Sequence, residues 1–238
     1  MNTITPFLPY IYASVPAIGV ATYIVDMFTQ NELADEKLIR NTPNEIFVKE
    51  HTEKVAQKMG FTKPIRIARS WTPANPLANG RFHAVGSAIL PGRCGFTTPY
   101  LEYIPRSEIE VAIAHELSHI QANDEITMPL VDLIVGVAVG ILLGYLDFSS
   151  TAAFVAGCIA FVIEAPIVSR WREREADRNA MKYCSEKAKK NMLALLVESK
   201  EKGHDKRRHG FLLDILQPTV DDKIKIINES LESESKKD

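Results

Sequence analysis

"VAIAHELSHIQANDE", Val111 to Glu125, places two histidines four residues apart, with a glutamate directly after the first. On a helix at about 100° per residue, Ile109, Ile113, Leu117 and Ile120 gather on one side. His115 and His119 then lie within roughly 40° of each other on a face away from that stripe. The apolar side is predicted to enter a core, leaving two imidazoles directed together at the one-turn spacing that lets them share a tetrahedral metal. Glu116 is turned about 100° from His115, which sets it beside such a metal rather than on it. There it can take the proton of an attacking water.

Bulk properties narrow the partners. The chain has 238 residues, enough to bury a core, and a formal charge of -2, so there is no basic excess to neutralise phosphates. Nucleic acid is therefore excluded as the expected partner. Cys94, Cys158 and Cys184 are widely spaced and form no CxxC pair, which argues against a disulfide framework and against a cysteine zinc site. A hydrophobic fraction of 46% beside a mean hydropathy of -0.06 indicates apolar stretches set against a charged remainder.

Those stretches organise the chain. Residues 7 to 28 carry no Lys or Arg and a single acid, Asp26, and as a helix reach about 30 Å, so residues 1–30 are read as a retained transmembrane anchor. Residues 31–127 turn soluble. They begin with an amphipathic helix, "PNEIFVKEHTEKVAQKMG", closed by Gly60, and continue through short strands separated by "NPLANG" and "PGRCG". Residues 128–168 form two apolar arms around "DFSST" and are read as a transmembrane helical hairpin. Residues 169–228 are charged and helical in pattern, and 229–238 are expected to be a flexible tail. The expected fold class is α+β, predominantly helical: a small sheet, the HExxH helix and a later helix, interrupted by the hairpin.

Two positions compete for the third ligand. Glu125 follows the second histidine by six residues, but the turn that would bring it back calls for glycine and Ala122 stands there. In "SRWREREADRNA", Glu173 and Asp177 share one helical face, suited to a ligand and a carboxylate that fixes an imidazole tautomer. Taken alone, such a pair is more often a solvated face.

HELSH, an apolar hairpin and then SRxxExxAD together resemble the membrane-embedded gluzincin metallopeptidases, the group of the HtpX heat-shock proteases and the CAAX prenyl-protein endopeptidases. The likeness covers about Asn75 to Asp177. It implies a gluzincin-type catalytic domain with one zinc ion held by His115, His119 and Glu173. It also implies Glu116 as general base and Asp177 as the carboxylate behind a ligand. "NPLANG" is similar to a segment at that group's substrate-binding edge strand. Many relatives carry a His-Pro pair and an Arg-Ile step near the C-terminus, where this chain has Gln217-Pro218 and Lys223-Ile224. The oxyanion-stabilising residue is thus not visible at its usual place, and His204 and His209 are alternatives in a basic loop.

The expected function is zinc-dependent endopeptidase activity on unfolded or membrane-associated polypeptides, with the substrate main chain paired to an edge strand near residues 75 to 90. The competing readings are a zinc-stabilised membrane adaptor without activity and a soluble zinc peptidase with a buried hairpin. Lys37 and Arg40 follow the first apolar segment, and Arg170, Arg172, Arg174 and Arg178 follow the hairpin. That bias predicts an integral protein of the cell (plasma) membrane, in contact with the lipid bilayer, with its catalytic part in the cytoplasm.

Overall fold

The computed structural model describes residues 43–62, 65–69, 83–85, 93–96, 105–146, 149–203 and 218–236, with the strand side chains and some side chains of the two longest helices outside that set. Helix α1 (Pro43–Lys58) opens on proline, whose missing N–H costs nothing in a first turn. It ends at Gly60, which takes φ +81°. Strands β1 (Arg66–Arg69), β2 (His83–Val85) and β3 (Arg93–Phe96) follow. Central β3 runs parallel to β1 and antiparallel to β2.

Helix α2 (Arg106–Ala122) carries the histidine motif and is the hub of the fold, packing against α1, β2, β3 and three helices that follow it. Its stripe of Ile109, Ile113, Leu117 and Ile120 is fully buried, at no more than 1% exposure, as the periodicity predicts. Burial of side chains this size stabilises the fold by about 1.5–3 kcal/mol each. Val48 and Val55 of α1 share one buried core with this stripe and with Ala180, Met181 and Ala188. Helix α3 (Asp124–Tyr145) starts one residue after α2 ends, because Asn123 adopts the left-handed conformation at φ 56° that asparagine tolerates. Helix α4 (Ser150–Met181) returns alongside α3, with the Ser149 hydroxyl accepting from the Ala152 N–H. Helix α5 (Glu186–Glu201) follows a short turn, and α6 (Val220–Ser235) packs on α4 and α5.

The expected fold class needs correction. The described residues form a helical domain in which the anticipated sheet is reduced to strands of four, three and four residues. Among those residues no helix is long and apolar enough to cross a membrane, so the transmembrane hairpin is not sustained. The helices also do not stop at the expected boundaries. Helix α3 opens on Asp124 and Glu125, and α4 runs 32 residues from the apolar arm straight into Arg170, Arg172, Glu173 and Arg174. A change of polarity at Ser169 does not break a backbone hydrogen-bond ladder, so the second arm and the ligand segment are one helix. The anchor over residues 1–30, "NPLANG", Gln217, His204 and His209 lie outside the described residues.

Helix α6 also covers the stretch read as a tail, and there Ser230 and Glu234 serve the interior. The ammonium of Lys189, fully buried on α5, donates to Ser230 Oγ at 3.0 Å and to Glu234 Oε1 at 2.5 Å. A buried ammonium without partners is costly, so Glu234→Ala is expected to destabilise the protein by about 1–3 kcal/mol, whereas Lys189→Met is tolerated. Urea unfolding of the two variants checks this; equal stability losses would contradict it.

The same helix is tied to α4 by Asp222, which accepts from Arg170 Nη2 at 2.9 Å and Arg174 Nη2 at 2.7 Å while completing a capping box with Thr219. Burial works to raise the Asp222 carboxyl, but Arg174, Arg170 and the Thr219 cap outweigh it and hold the group well below the usual carboxylate range. The clamp fixes where the next residue, Lys223, stands.

Candidate metal centre

Helix α2 presents His115 and His119, and α4 brings Glu173 across from the opposite side. The ring planes of the two histidines are nearly perpendicular, at 80°. Their Nε2 atoms stand 3.1 Å apart, with Glu173 Oε2 at 3.3 Å from His115 Nε2 and Glu173 Oε1 at 3.6 Å from His119 Nε2. The outer nitrogens are both taken by carboxylates: His115 Nδ1 lies 2.8 Å from Asp177 Oδ1, and His119 Nδ1 lies 2.6 Å from Asp124 Oδ2. Each carboxylate in turn has a cation, Lys223 Nζ at 3.9 Å from Asp177 and Arg172 Nη1 at 2.9 Å from Asp124. The rotation of α4 about its axis is fixed by Asn179, whose amide donates to Gln121 Oε1 at 2.8 Å and Ser118 Oγ at 3.3 Å.

This donor set fits a divalent cation. An ionised carboxylate accepts hydrogen bonds only, so Asp177 and Asp124 place the imidazole protons on Nδ1 and leave both Nε2 lone pairs facing inward. Three lone-pair donors this close repel one another unless a cation lies between them. Ligands of a tetrahedral zinc at about 2.0–2.1 Å would be separated by roughly 3.3 Å, close to the 3.1 Å between the two Nε2 atoms and the 3.3 Å from His115 Nε2 to Glu173 Oε2. Charge agrees as well. Arg172 and Lys223 offset Asp124 and Asp177, and Glu173 is the carboxylate that faces both imidazoles. Among the described residues, His115, His119 and Glu173 are the group able to hold a metal ion, their donor atoms all within 4.8 Å of one another.

Without a metal the cluster attracts a proton instead. Burial alone would lower the His115 imidazole, but Asp177 and Glu173 overcome it and lift the group to about 10. Burial likewise works to raise Glu173 and Asp177, and His115 outweighs it to lower both. The signs follow. In the metal-free protein the His115 contribution to stability is complete below its ordinary value of 6.5 and lost as pH rises through about 10. The carboxylate contributions are present above their ordinary values and lost as pH falls. A cation has to displace the His115 proton, so zinc affinity is expected to rise by about tenfold per pH unit near neutrality. Chelator competition at several pH values checks this, and an affinity independent of pH would contradict it.

The expected ligands, base and outer carboxylate are all among the described residues, and His115, His119, Glu173 and Asp177 converge. Glu116 is half-buried beside them, close enough for its charge to act on His115. Two residues were missed, Asp124 and Arg172. The signal for Asp124 is a carboxylate immediately after an asparagine that can turn the chain left-handed, one position before Glu125. The side chain of Glu125 lies outside the described residues.

A helix-borne histidine pair is thus met by a carboxylate from a later helix, in a group able to hold a metal ion. The chain belongs to peptidase family M48, whose sequence profile matches residues 46–219. A protease HtpX homolog of Pyrococcus abyssi is 32% identical over 143 residues, covering 52% of this chain and 47% of the relative. Protease HtpX homolog 1 of Sulfurisphaera tokodaii is 30% identical over 121 residues, covering 51% of this chain and 34% of the relative. The HtpX homolog of Methanocaldococcus jannaschii is 27% identical over 246 residues, covering 90% and 80%. The crystal structure of S. mikatae Ste24p shares the fold at a TM-score of 0.63 and 16% identity, over 93% of this chain and 58% of that one. The chain thus spans only a third to a half of the first two relatives. The resemblance to the HtpX and CAAX endopeptidase group, carried by HELSH and SRWREREAD, holds.

Proposed function

We propose that this chain is a zinc-dependent metalloendopeptidase acting on unfolded or membrane-associated polypeptides. The observation that carries the reading is the meeting of two Nε2 atoms and a carboxylate at tetrahedral spacing, each imidazole fixed from behind. His115, His119 and Glu173 hold the ion, and Asp177 and Asp124 hold the imidazoles in the ligating tautomer. Bound zinc supplies Lewis acidity to the scissile carbonyl and acidifies water. Glu116 accepts the proton of the attacking water and returns it to the leaving amine, so no covalent intermediate is needed. The Glu173 side chain is 28% exposed, so the cluster is not sealed in the core. Strand β2, at an edge of the described sheet and packed on α2, supports main-chain pairing with an extended substrate.

The catalytic domain in this reading has two parts, residues 31–127 and 169–228, joined through the α3–α4 pair. Membrane location is supported by the apolar segment Phe7–Phe28 and by the exposed side chains of Ile134, Leu142, Tyr145, Ile159 and Trp171. Lys37 and Arg40 after that segment favour a cytoplasmic catalytic part at the plasma membrane. Purified full chain is expected to cleave casein, to stop when zinc is chelated, and to recover with about one zinc per chain. Cleavage indifferent to chelation, or none with zinc bound, would defeat the reading.

A further inference from the structure

Arg172 stands directly before the ligand Glu173, and its side chain leaves α4 about 100° around the helix from it. While Glu173 faces the histidines, Arg172 reaches the junction of α2 and α3. Its Nη1 pairs with Asp124 Oδ1 at 2.9 Å and its Nη2 donates to Thr127 Oγ1 at 3.0 Å. Thr127 in turn donates to the carbonyl of Asn123, the left-handed residue that makes the junction. The guanidinium also lies over the Trp171 ring, 4.8 Å from its centroid, so its plane is held from a third direction. Asp124 is buried and spends its other oxygen on His119. Helix α4 therefore delivers one ligand itself and, through the neighbouring residue, sets the orientation of another.

We propose that Arg172 is a positioning residue: it locks Asp124, and through it the His119 imidazole, to the helix carrying Glu173, so that the ligands from α2 and α4 move as one unit. This rests on the metallopeptidase reading above. The arrangement matters because His119 and Glu173 come from different helices, and no covalent link shorter than the α3–α4 excursion joins them. Asn179 and the Asp177–His115 contact already tie α4 to α2, and the Arg172–Asp124 brace extends that coupling to the His119 imidazole. Lysine cannot replace both contacts at once, because a single ammonium lacks the planar guanidinium that donates to Thr127 while its other nitrogen stands in an ion pair with Asp124.

The test measures zinc affinity by chelator competition, and the visible absorption of the cobalt-substituted protein, on the full chain. The variants are Arg172→Gln, Arg172→Lys, Asp124→Asn and the double Arg172→Gln/Asp124→Asn. Each of the glutamine and asparagine variants is expected to weaken zinc binding by about 10- to 100-fold and to shift the cobalt bands. The double variant should lose no more than Asp124→Asn alone, since Arg172 acts through Asp124. Arg172→Lys should recover only part of the loss. Wild-type affinity and spectrum in Arg172→Gln, or additive losses in the double variant, would overturn the proposal. If melting of the metal-free protein shows that Arg172→Gln does not fold, Arg172→Lys decides, and full affinity there overturns it. A wild type that binds no zinc would instead remove the metal reading itself, a different failure.

Discussion

Glu116→Gln is expected to keep about one zinc per chain while casein hydrolysis falls by about 100- to 10,000-fold. The amide matches the carboxylate in size and keeps the polar contacts of a half-buried residue, but it cannot accept a proton at neutral pH. Glu116 is the residue next to His115 on α2, so its side chain leaves the helix at a different angle from the ligands. Losing its charge also takes one negative charge from beside His115, and a slightly weaker zinc affinity is expected from that alone. Zinc content and turnover measured on the same preparation separate the two effects. Loss of the metal, or full turnover, would contradict the role of base.

Glu173→Ala should have the opposite signature, with metal and activity lost together. The carboxylate reaches both imidazoles, at 3.3 Å and 3.6 Å, and it is the only ligand that α4 contributes to the triad. Its removal leaves two nitrogens 3.1 Å apart, with no negative charge in the inner set. The affinity loss should exceed the roughly 10- to 100-fold expected for the carboxylates behind the histidines. Equilibrium dialysis against zinc gives the number. Retention of stoichiometric zinc in Glu173→Ala would place the third ligand elsewhere.

Periodicity carried a good part of this. The stripe Ile109, Ile113, Leu117 and Ile120 is the buried face of α2, and that burial forces His115 and His119 to look the other way. Glu173 and Asp177 were legible as one face because one helical turn separates them, although only the resemblance distinguished them from a solvated pair. Asp124 and Arg172 were not legible, for two reasons. A glycine turn was sought at Ala122, whereas the chain turns at Asn123, which adopts the left-handed conformation with a Cβ. Arg172 reads as one more charge in an arginine-rich run until its partner across 48 residues of chain is known. The transmembrane hairpin came from apolar runs read in isolation. The change of composition at Ser169 suggested a boundary, yet α4 passes through it, and through Pro166, uninterrupted. Lys189 was invisible as an interior residue, because its partners Ser230 and Glu234 lie in a stretch whose composition suggested a frayed end.

Anomalous diffraction at the zinc absorption edge, on crystals of the full chain purified without chelator, tests the central claim most directly. One zinc peak is expected at about 2.0–2.2 Å from His115 Nε2, His119 Nε2 and a Glu173 oxygen. A peak bound by other residues, or no peak between these three in protein that cleaves casein, would contradict it.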